Sequence, residues 1–536
     1  MAEATATTTT RVHEMRLVLQ SADRPGSVAA VVAVLDAWSA GWLAAPLSAE
    51  ADDLWLITGE VTERIGTPEY ARRAHTLVQE ILDVEPTGRA EADIPVMAYA
   101  GAAGVGAGCG AADDAPPGSE TIRWARDAIR CEEAWALPPG PGGATQGAGI
   151  VLGQPDTGYT PHPNLGLDAL DLTKDRDVID NDDDATDPLV APALSPWPLA
   201  NPGHGTTTAS VIAGRGDEET GIVGVAPQAK LVPIRAVESV VQFFDTDVAR
   251  SVEYARLVGG DVISISLGGK GFFGLSTAIQ SAVDAGMIVL AAAGNNVGVV
   301  VAPASYPNCL AVAATGPDDL PWPESSRGPE VDLSAPGWGV HVAGVCWTDN
   351  QPRFEVFRAS GTSYAVAHVA GVAALWLAHH GAQSLRRRYG GQLQAVFLHL
   401  LRHGGCRVPA GWDAASWGAG VVDAAGMLSL PLPDVAAVGP AYVGAGLSPL
   451  GRLSALVSVD EAELERALTE RLGVTGDDLT RTLSRFEGEL AFHLAGEPAF
   501  RAGLLGEPGR DVAGDDADSR ATSSPQFEEM FFRSMD

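Results

Sequence analysis

Two apolar runs, each ending abruptly on a polar side chain, constrain this chain more than any other feature. Ala148-Gly-Ile-Val-Leu-Gly-Gln-Pro-Asp156 and Met287-Ile-Val-Leu-Ala-Ala-Ala-Gly-Asn295 are too continuously apolar for strands with one wet face. Such runs suit parallel strands covered on both sides. Open α/β sheets build their sites at the carboxyl ends of strands, so the pattern puts Asp156 and Asn295 where chemistry is done. The fold class expected is α/β with a mostly parallel sheet.

Two glycine-rich segments complete a set with Asp156. His204 lies between Gly203 and Gly205 and precedes Thr-Thr-Thr-Ala-Ser-Val-Ile-Ala-Gly, which predicts a helix with His204 in its first turn. Ser363, in Ser360-Gly-Thr-Ser-Tyr-Ala365, opens an apolar helix from Tyr364 to about Ala378, so its hydroxyl faces a positive helix end. A serine hydroxyl is a weak nucleophile at neutral pH. It needs an imidazole to take its proton and a carboxylate to orient that imidazole. The three segments supply all three groups in the order Asp, His, Ser, which differs from the His, Asp, Ser and Ser, Asp, His orders of other serine hydrolases.

These motifs resemble those of the subtilases, subtilisin-like serine endopeptidases, over roughly residues 120 to 430. The resemblance implies a three-layer α/β/α domain in which Ser363 is the nucleophile, His204 the base and Asp156 its orienting acid. It implies that Asn295 donates to the oxyanion. Ser266, Leu267, Gly268 and Gly269 resemble the family's substrate-binding edge, which pairs with extended peptide. Ala292, Ala293 and Gly294 suggest an open pocket for the side chain beside the scissile bond. No cofactor is implied. The usual Gly-Thr-Ser-Met-Ala-Thr-Pro-His reads Gly-Thr-Ser-Tyr-Ala-Val-Ala-His, and the frequent second histidine after His204 is Thr207. None of these departures removes a catalytic group. The alternative function is a catalytically silent, peptide-binding pseudoprotease or scaffold.

A formal charge of −33 over 536 residues argues against nucleic acid or anionic membrane as partners and favours basic substrates or simple solubility, while the resemblance implies a peptide or protein substrate. Five widely spaced cysteines, Cys109, Cys131, Cys309, Cys346 and Cys406, contain no Cys-x-x-Cys and are expected to be reduced thiols. The first residues show no basic segment followed by an apolar core, from which a cytoplasmic location is expected. The run from Tyr364 to Ala378 is shorter than the about 18 to 20 residues that cross a bilayer.

Ahead of the catalytic segments, residues 12–87 alternate in a β-α-β-β-α-β pattern with the last short strand beginning at Val84, a ferredoxin-like unit whose domain is assigned to 12–98. By the same resemblance this unit is a propeptide-type domain and an intramolecular inhibitor, with a permanent accessory domain as the alternative. Residues 1–11 are expected to be disordered and 99–118 to form a flexible linker suited to cleavage. The catalytic domain is assigned to 119–430, a connection and helical appendage to 431–505, and a disordered tail with a terminal apolar cluster (Phe527, Met530, Phe531, Phe532, Met535) to 506–536. That cluster is expected to dock, with the chain's own peptide cleft as one acceptor and an ordinary disordered end as the alternative. Between Asp156 and His204 the acidic stretch Asp175–Asp187 offers oxygen ligands for a structural calcium. An EF-hand frame starting at Asp180 nevertheless has Ala185 and Ala191 where glycine and glutamate are required, and a solvated loop is the alternative.

Overall fold

The computed structural model describes residues 13–21, 24–47, 53–95, 115–195, 199–216, 221–241, 243–438, 448–457, 459–506 and 516–532. The expected disordered start, most of the expected linker and residues 507–515 lie outside them. The chain divides into two compact units, Met97–Val459 and a second made of Met1–Val96 together with Asp460–Asp536.

In the larger unit, nine described strands form one sheet. Across it run Cys406–Arg407, Val421–Val422, Val331–Pro336, Leu310–Thr315, Ile288–Ala292, Val262–Ile265, Val151–Asp156, Lys230–Arg235 and Arg176–Asp177. All neighbours are parallel except the short edge strand Cys406–Arg407. The two apolar runs seen in the sequence are thus interior strands, and Ile288–Ala292 is buried at every position. Successive residues face opposite sides of a sheet. Leu152 accordingly joins the core built around helix Thr362–His380, while Gly153 lies against Ala255 of helix Asp245–Leu257 on the other face. Helices on both faces make the three layers.

Helix Thr362–His380 is apolar all round, as a helix buried in a large core must be, and Trp376 is fully enclosed. Among the described residues no helix is long and apolar enough to cross a membrane.

The smaller unit contains an antiparallel sheet in the order Leu43–Pro46, Leu54–Val61, His13–Gln20, Arg89–Asp93, with helices Arg24–Asp36 and Pro68–Val84. This is the ferredoxin-like succession. Its last strand begins at Arg89 and not at Val84, which still belongs to the preceding helix; a turn through Pro86-Thr87, closed by the Gly88 amide on the Glu85 carbonyl, separates the two.

Three sequence expectations change. The helices Glu461–Leu472 and Gly476–Gly496 are where the leucine spacing put them, yet they belong with the N-terminal sheet rather than forming an appendage of the catalytic domain. Phe492 sits in the same apolar cluster as Met15, Leu17 and Ile81. The tail is ordered where described: Asp516–Thr522 and Pro525–Phe531 are helices, and Phe527, Phe531 and Phe532 are fully buried within this unit. Burial of three aromatic rings, each worth roughly 1.5 to 3 kcal/mol, offsets the ordering of a polar segment. Cys346 is disulfide-bonded, whereas Cys131, Cys309 and Cys406 are free. Sequence spacing carries no information on the Cα separation that decides whether two cysteines can join.

Candidate active site

Asp156 is the last residue of its strand and is buried. Its Oδ1 accepts from the Thr157 amide at 2.7 Å and from His204 Nδ1 at 2.8 Å, and its Oδ2 accepts from Thr208 Oγ1 at 3.2 Å. Three donors hold one carboxylate in one orientation, and that orientation fixes the imidazole. Gln154 braces the arrangement by donating to the Gly205 carbonyl and to Thr208 Oγ1.

His204 begins helix His204–Ala213. The glycines on either side are required by geometry. Gly203 has φ of 85°, and a Cβ on Gly205 would fall 2.1 Å from the Gly158 carbonyl oxygen. The amide of Gly203 donates to Asp187 Oδ2 at 2.7 Å, so the last carboxylate of the acidic stretch secures the turn that delivers His204. Burial pushes the Asp187 carboxyl upward, opposed by the amides of Gly203 and Leu189. His204 Nε2 is buried and has no hydrogen-bond partner among the described residues. A buried imidazole nitrogen left unpaired is costly, and such exceptions concentrate at functional sites.

Ser363 lies in the first turn of its helix, 5% exposed. Its Oγ donates to the Ser266 carbonyl at 3.2 Å, and Ser266 Oγ returns a bond to the Ser363 carbonyl at 3.2 Å. No hydrogen bond joins Ser363 Oγ to His204. Asn295 Oδ1 accepts from the Thr362 amide at 3.0 Å and from Thr362 Oγ1 at 2.9 Å, and the Gly294 amide donates to Thr362 Oγ1 at 3.1 Å. Because a backbone N–H must meet an acceptor, this network identifies the oxygen of the Asn295 amide and leaves its NH₂ available.

One cleft is lined by Ser266, Leu267, Gly268, Gly294, Asn295 and Ser363, with Val240, Val241, Ala292, Val297, Val301 and Thr362. Two of the residues expected to bind substrate do not line it. The Gly269 amide is taken by the Ala302 carbonyl at 2.9 Å. Ala293 is fully buried, its amide donating to Val312 and its carbonyl accepting from Val301. Sequence reasoning missed Thr362, Val301 and Asp187. The first stood in plain sight inside Gly-Thr-Ser, the second carried no local signal, and the third was one of seven aspartates in the acidic stretch.

Two motif departures meet in space. Burial pushes the Tyr364 phenol up to about 12, with the neighbouring Thr207 hydroxyl opposing the shift. The residues replacing methionine and histidine therefore pack together, and helix Thr362–His380 continues unbroken through Ala367.

The acidic stretch does not assemble a metal site. Among the described residues no group of three or more His, Cys, Asp or Glu side chains could hold an ion. Asp177 and Asp180 pair with Arg235, and Asp183 with Arg176. Asp175, Asp182 and Asp184 accept from the amides of Ala185, Asp184 and Thr186. With guanidinium groups already supplying positive charge, these residues do not fit calcium.

A family model described as the subtilase family matches residues 147–400. Thermitase of Thermoactinomyces vulgaris is 34% identical over an alignment covering 46% of this chain and 79% of its own length. Subtilisin E of Bacillus subtilis (strain 168) is 36% identical over 33% of this chain and 46% of its own, so the chain spans about half of that relative. Among solved structures, fervidolysin from Fervidobacterium pennivorans, a keratinolytic enzyme related to subtilisin, gives a TM-score of 0.55 over 78% of this chain and 62% of that one at 20% identity, a likeness of fold.

Proposed function

The chain belongs to the subtilase family of serine proteases, and from that premise we propose that Asp156, His204 and Ser363 are its catalytic triad and Asn295 its oxyanion donor. The observation that carries this reading is the 2.8 Å bond from His204 Nδ1 to a triply held Asp156, with Nε2 left as an unpaired acceptor. Ser363 Oγ leaves the Ser266 carbonyl by rotation about its own χ1, passes its proton to His204 Nε2 and attacks the scissile carbonyl. Catalytic hydrogen bonds are commonly loose before substrate binds. The oxyanion accepts from Asn295 Nδ2 and from the Ser363 amide, which lies in the first helical turn where N–H groups have no intrahelical partner. His204 then donates to the leaving amine, and water repeats the sequence on the acyl-enzyme. Peptide or protein is the substrate class.

A fluorophosphonate probe tests the assignment. Labelling should map to Ser363 and be lost in His204→Ala. Absence of labelling in folded wild type would instead favour the catalytically silent scaffold.

The N-terminal β-α-β-β-α-β sheet supports a regulatory role for residues 12–98 as an intramolecular inhibitor. If so, wild type should be cut within residues 88–118 while Ser363→Ala stays full length. The disulfide at Cys346 supports an oxidising compartment, in contrast to the cytoplasm expected from the chain's first residues. Alkylation under non-reducing conditions followed by mass spectrometry decides which state the protein holds in cells.

A further inference from the structure

The cleft beside Ser363 is narrower than its alanines and glycines suggest. It is a partly open cleft in which only about 30 Å³ is free to the centre of a water-sized sphere, room for little more than a water or two. A benzene ring needs a cavity on the order of 150 Å³. None of the residues lining the cleft carries a charge.

Val301 is responsible. A Cβ on Gly268 would fall 2.2 Å from Val301 Cγ2, and a Cβ on Gly294 would fall 3.1 Å from both Val301 methyls. The glycines at these two positions therefore do not open the pocket; they make room for Val301. That residue cannot easily swing aside. It is 5% exposed, its amide donates to the Ala293 carbonyl at 3.0 Å, and β-branching leaves it few χ1 choices.

We infer that Val301 restricts the residue on the acyl side of the scissile bond to a small uncharged side chain, glycine, alanine or serine. This rests on the reading of Ser363 as nucleophile and Asn295 as oxyanion donor. With the carbonyl carbon at Ser363 Oγ and its oxygen toward Asn295, the side chain of the same residue enters the space bounded by Leu267, Gly268, Gly294 and Val301. Each methylene accommodated or refused in an apolar pocket changes kcat/KM by roughly 10- to 200-fold. A phenyl ring is several methylenes too large.

The test uses purified full-length protein and peptides that differ only at that residue, alanine against phenylalanine. Wild type should prefer alanine by at least about 100-fold in kcat/KM. Val301→Gly should raise the phenylalanine-to-alanine ratio by at least about tenfold, with Val301→Ala intermediate. Comparable wild-type rates on the two peptides would overturn the inference without help from any variant, as would an unchanged ratio in both variants. Fluorophosphonate labelling separates this from the parent reading. A protein that labels at Ser363 and cleaves both peptides equally has lost only its selectivity assignment. One that neither labels nor cleaves has lost the protease assignment, and the inference with it.

Discussion

His204 and His493 each lean on a carboxylate, Asp156 at 2.8 Å and Glu497 at 2.9 Å, and beyond that bond the two units diverge. In the larger unit the far nitrogen of His204 has no partner among the described residues. In the smaller unit, His493 Nε2 lies 3.0 Å from Ser523 Oγ, which completes a carboxylate, imidazole and serine in a row. On distances alone, the second arrangement is the better triad. It is not a site. Ser523 Oγ already donates to the Ser519 carbonyl at 2.7 Å, Ser523 and His493 are fully buried, and the imidazole is packed against Phe500 and Phe527 at centroid distances of 5.2 and 4.8 Å. A catalytic serine needs room for a carbonyl, and the fully enclosed Ser523 has none. Carboxylate, imidazole and serine close on one another in a clasp around His493, whereas His204 keeps its far nitrogen open, so the two arrangements differ in their fourth and fifth partners.

The sharpest way to break this contrast is to remove each serine. Ser363→Ala should lower peptide hydrolysis by at least about 10,000-fold with the thermal midpoint retained. Ser523→Ala should leave hydrolysis of a short peptide unchanged and destabilise the smaller unit by about 1 to 3 kcal/mol, the cost of a buried partner left unsatisfied. Loss of activity in folded Ser523→Ala would mean that the clasp takes part in the chemistry.

Asn295→Ala should follow with a loss of about 100- to 1,000-fold in turnover, the magnitude known for such a donor in this same family. The backbone donor at Ser363 persists, so a residual rate is expected. Near-native turnover would show that the Thr362 network holds Asn295 for structural reasons alone.

The clasp itself can be weakened through its aromatic neighbour. Phe527 is fully buried and stacks on Phe531 at 4.1 Å. Phe527→Ala should cost about 3 to 5 kcal/mol, read as faster hydrogen exchange across residues 13–93 as well as the tail, because both share one unit. Loosening confined to the tail would show that residues 13–93 fold independently of the C-terminal helices.

The two units also differ in how much their sequences disclose. Strand Val151–Asp156, the turn at Gly203 and the helix after Ser363 declare themselves because local rules act on them: a buried strand must be apolar, a left-handed turn favours glycine, and an apolar helix must be covered. Periodicity likewise located Leu464, Leu468, Leu479 and Leu483 on buried helix faces. It could say that a face is covered but not by what. The covering element is often remote, as where Arg485 meets Gln79 and Asp83 across some 400 positions. Residues 516–524 looked like a solvated linker because their serines and threonines are polar. Their partners, Glu489, Glu497 and His493, appear only when the chain is folded. Val301 was illegible for the same reason, being one valine in a run of three.

The smallest effect expected is a pH dependence within the smaller unit. Glu489 accepts from the Ser524 amide at 2.6 Å and from Ser524 Oγ at 2.8 Å, tying the tail to helix Gly476–Gly496. Burial pushes its carboxyl up to about 7, opposed by the charges of His493 and Arg72 and by Ser524, with His75 Nδ1 3.9 Å away. An acid whose pKa is raised by folding binds its proton more tightly in the native state. Its contribution is therefore full below the unfolded value near 4.5 and is lost as pH rises through about 7. Glu497 tilts the other way: burial raises it, but His493, Ser519 and Thr522 together hold it below its ordinary value, so its contribution is lost only as pH falls through that lowered value. Between pH 5 and 8 Glu489 thus loses its contribution, at most about 3 kcal/mol. Hydrogen exchange over residues 519–531, corrected for the intrinsic pH dependence, should show protection falling from pH 5 to pH 8 in wild type and a flatter profile in Glu489→Gln. Equal slopes in the two proteins would place the proton on another group.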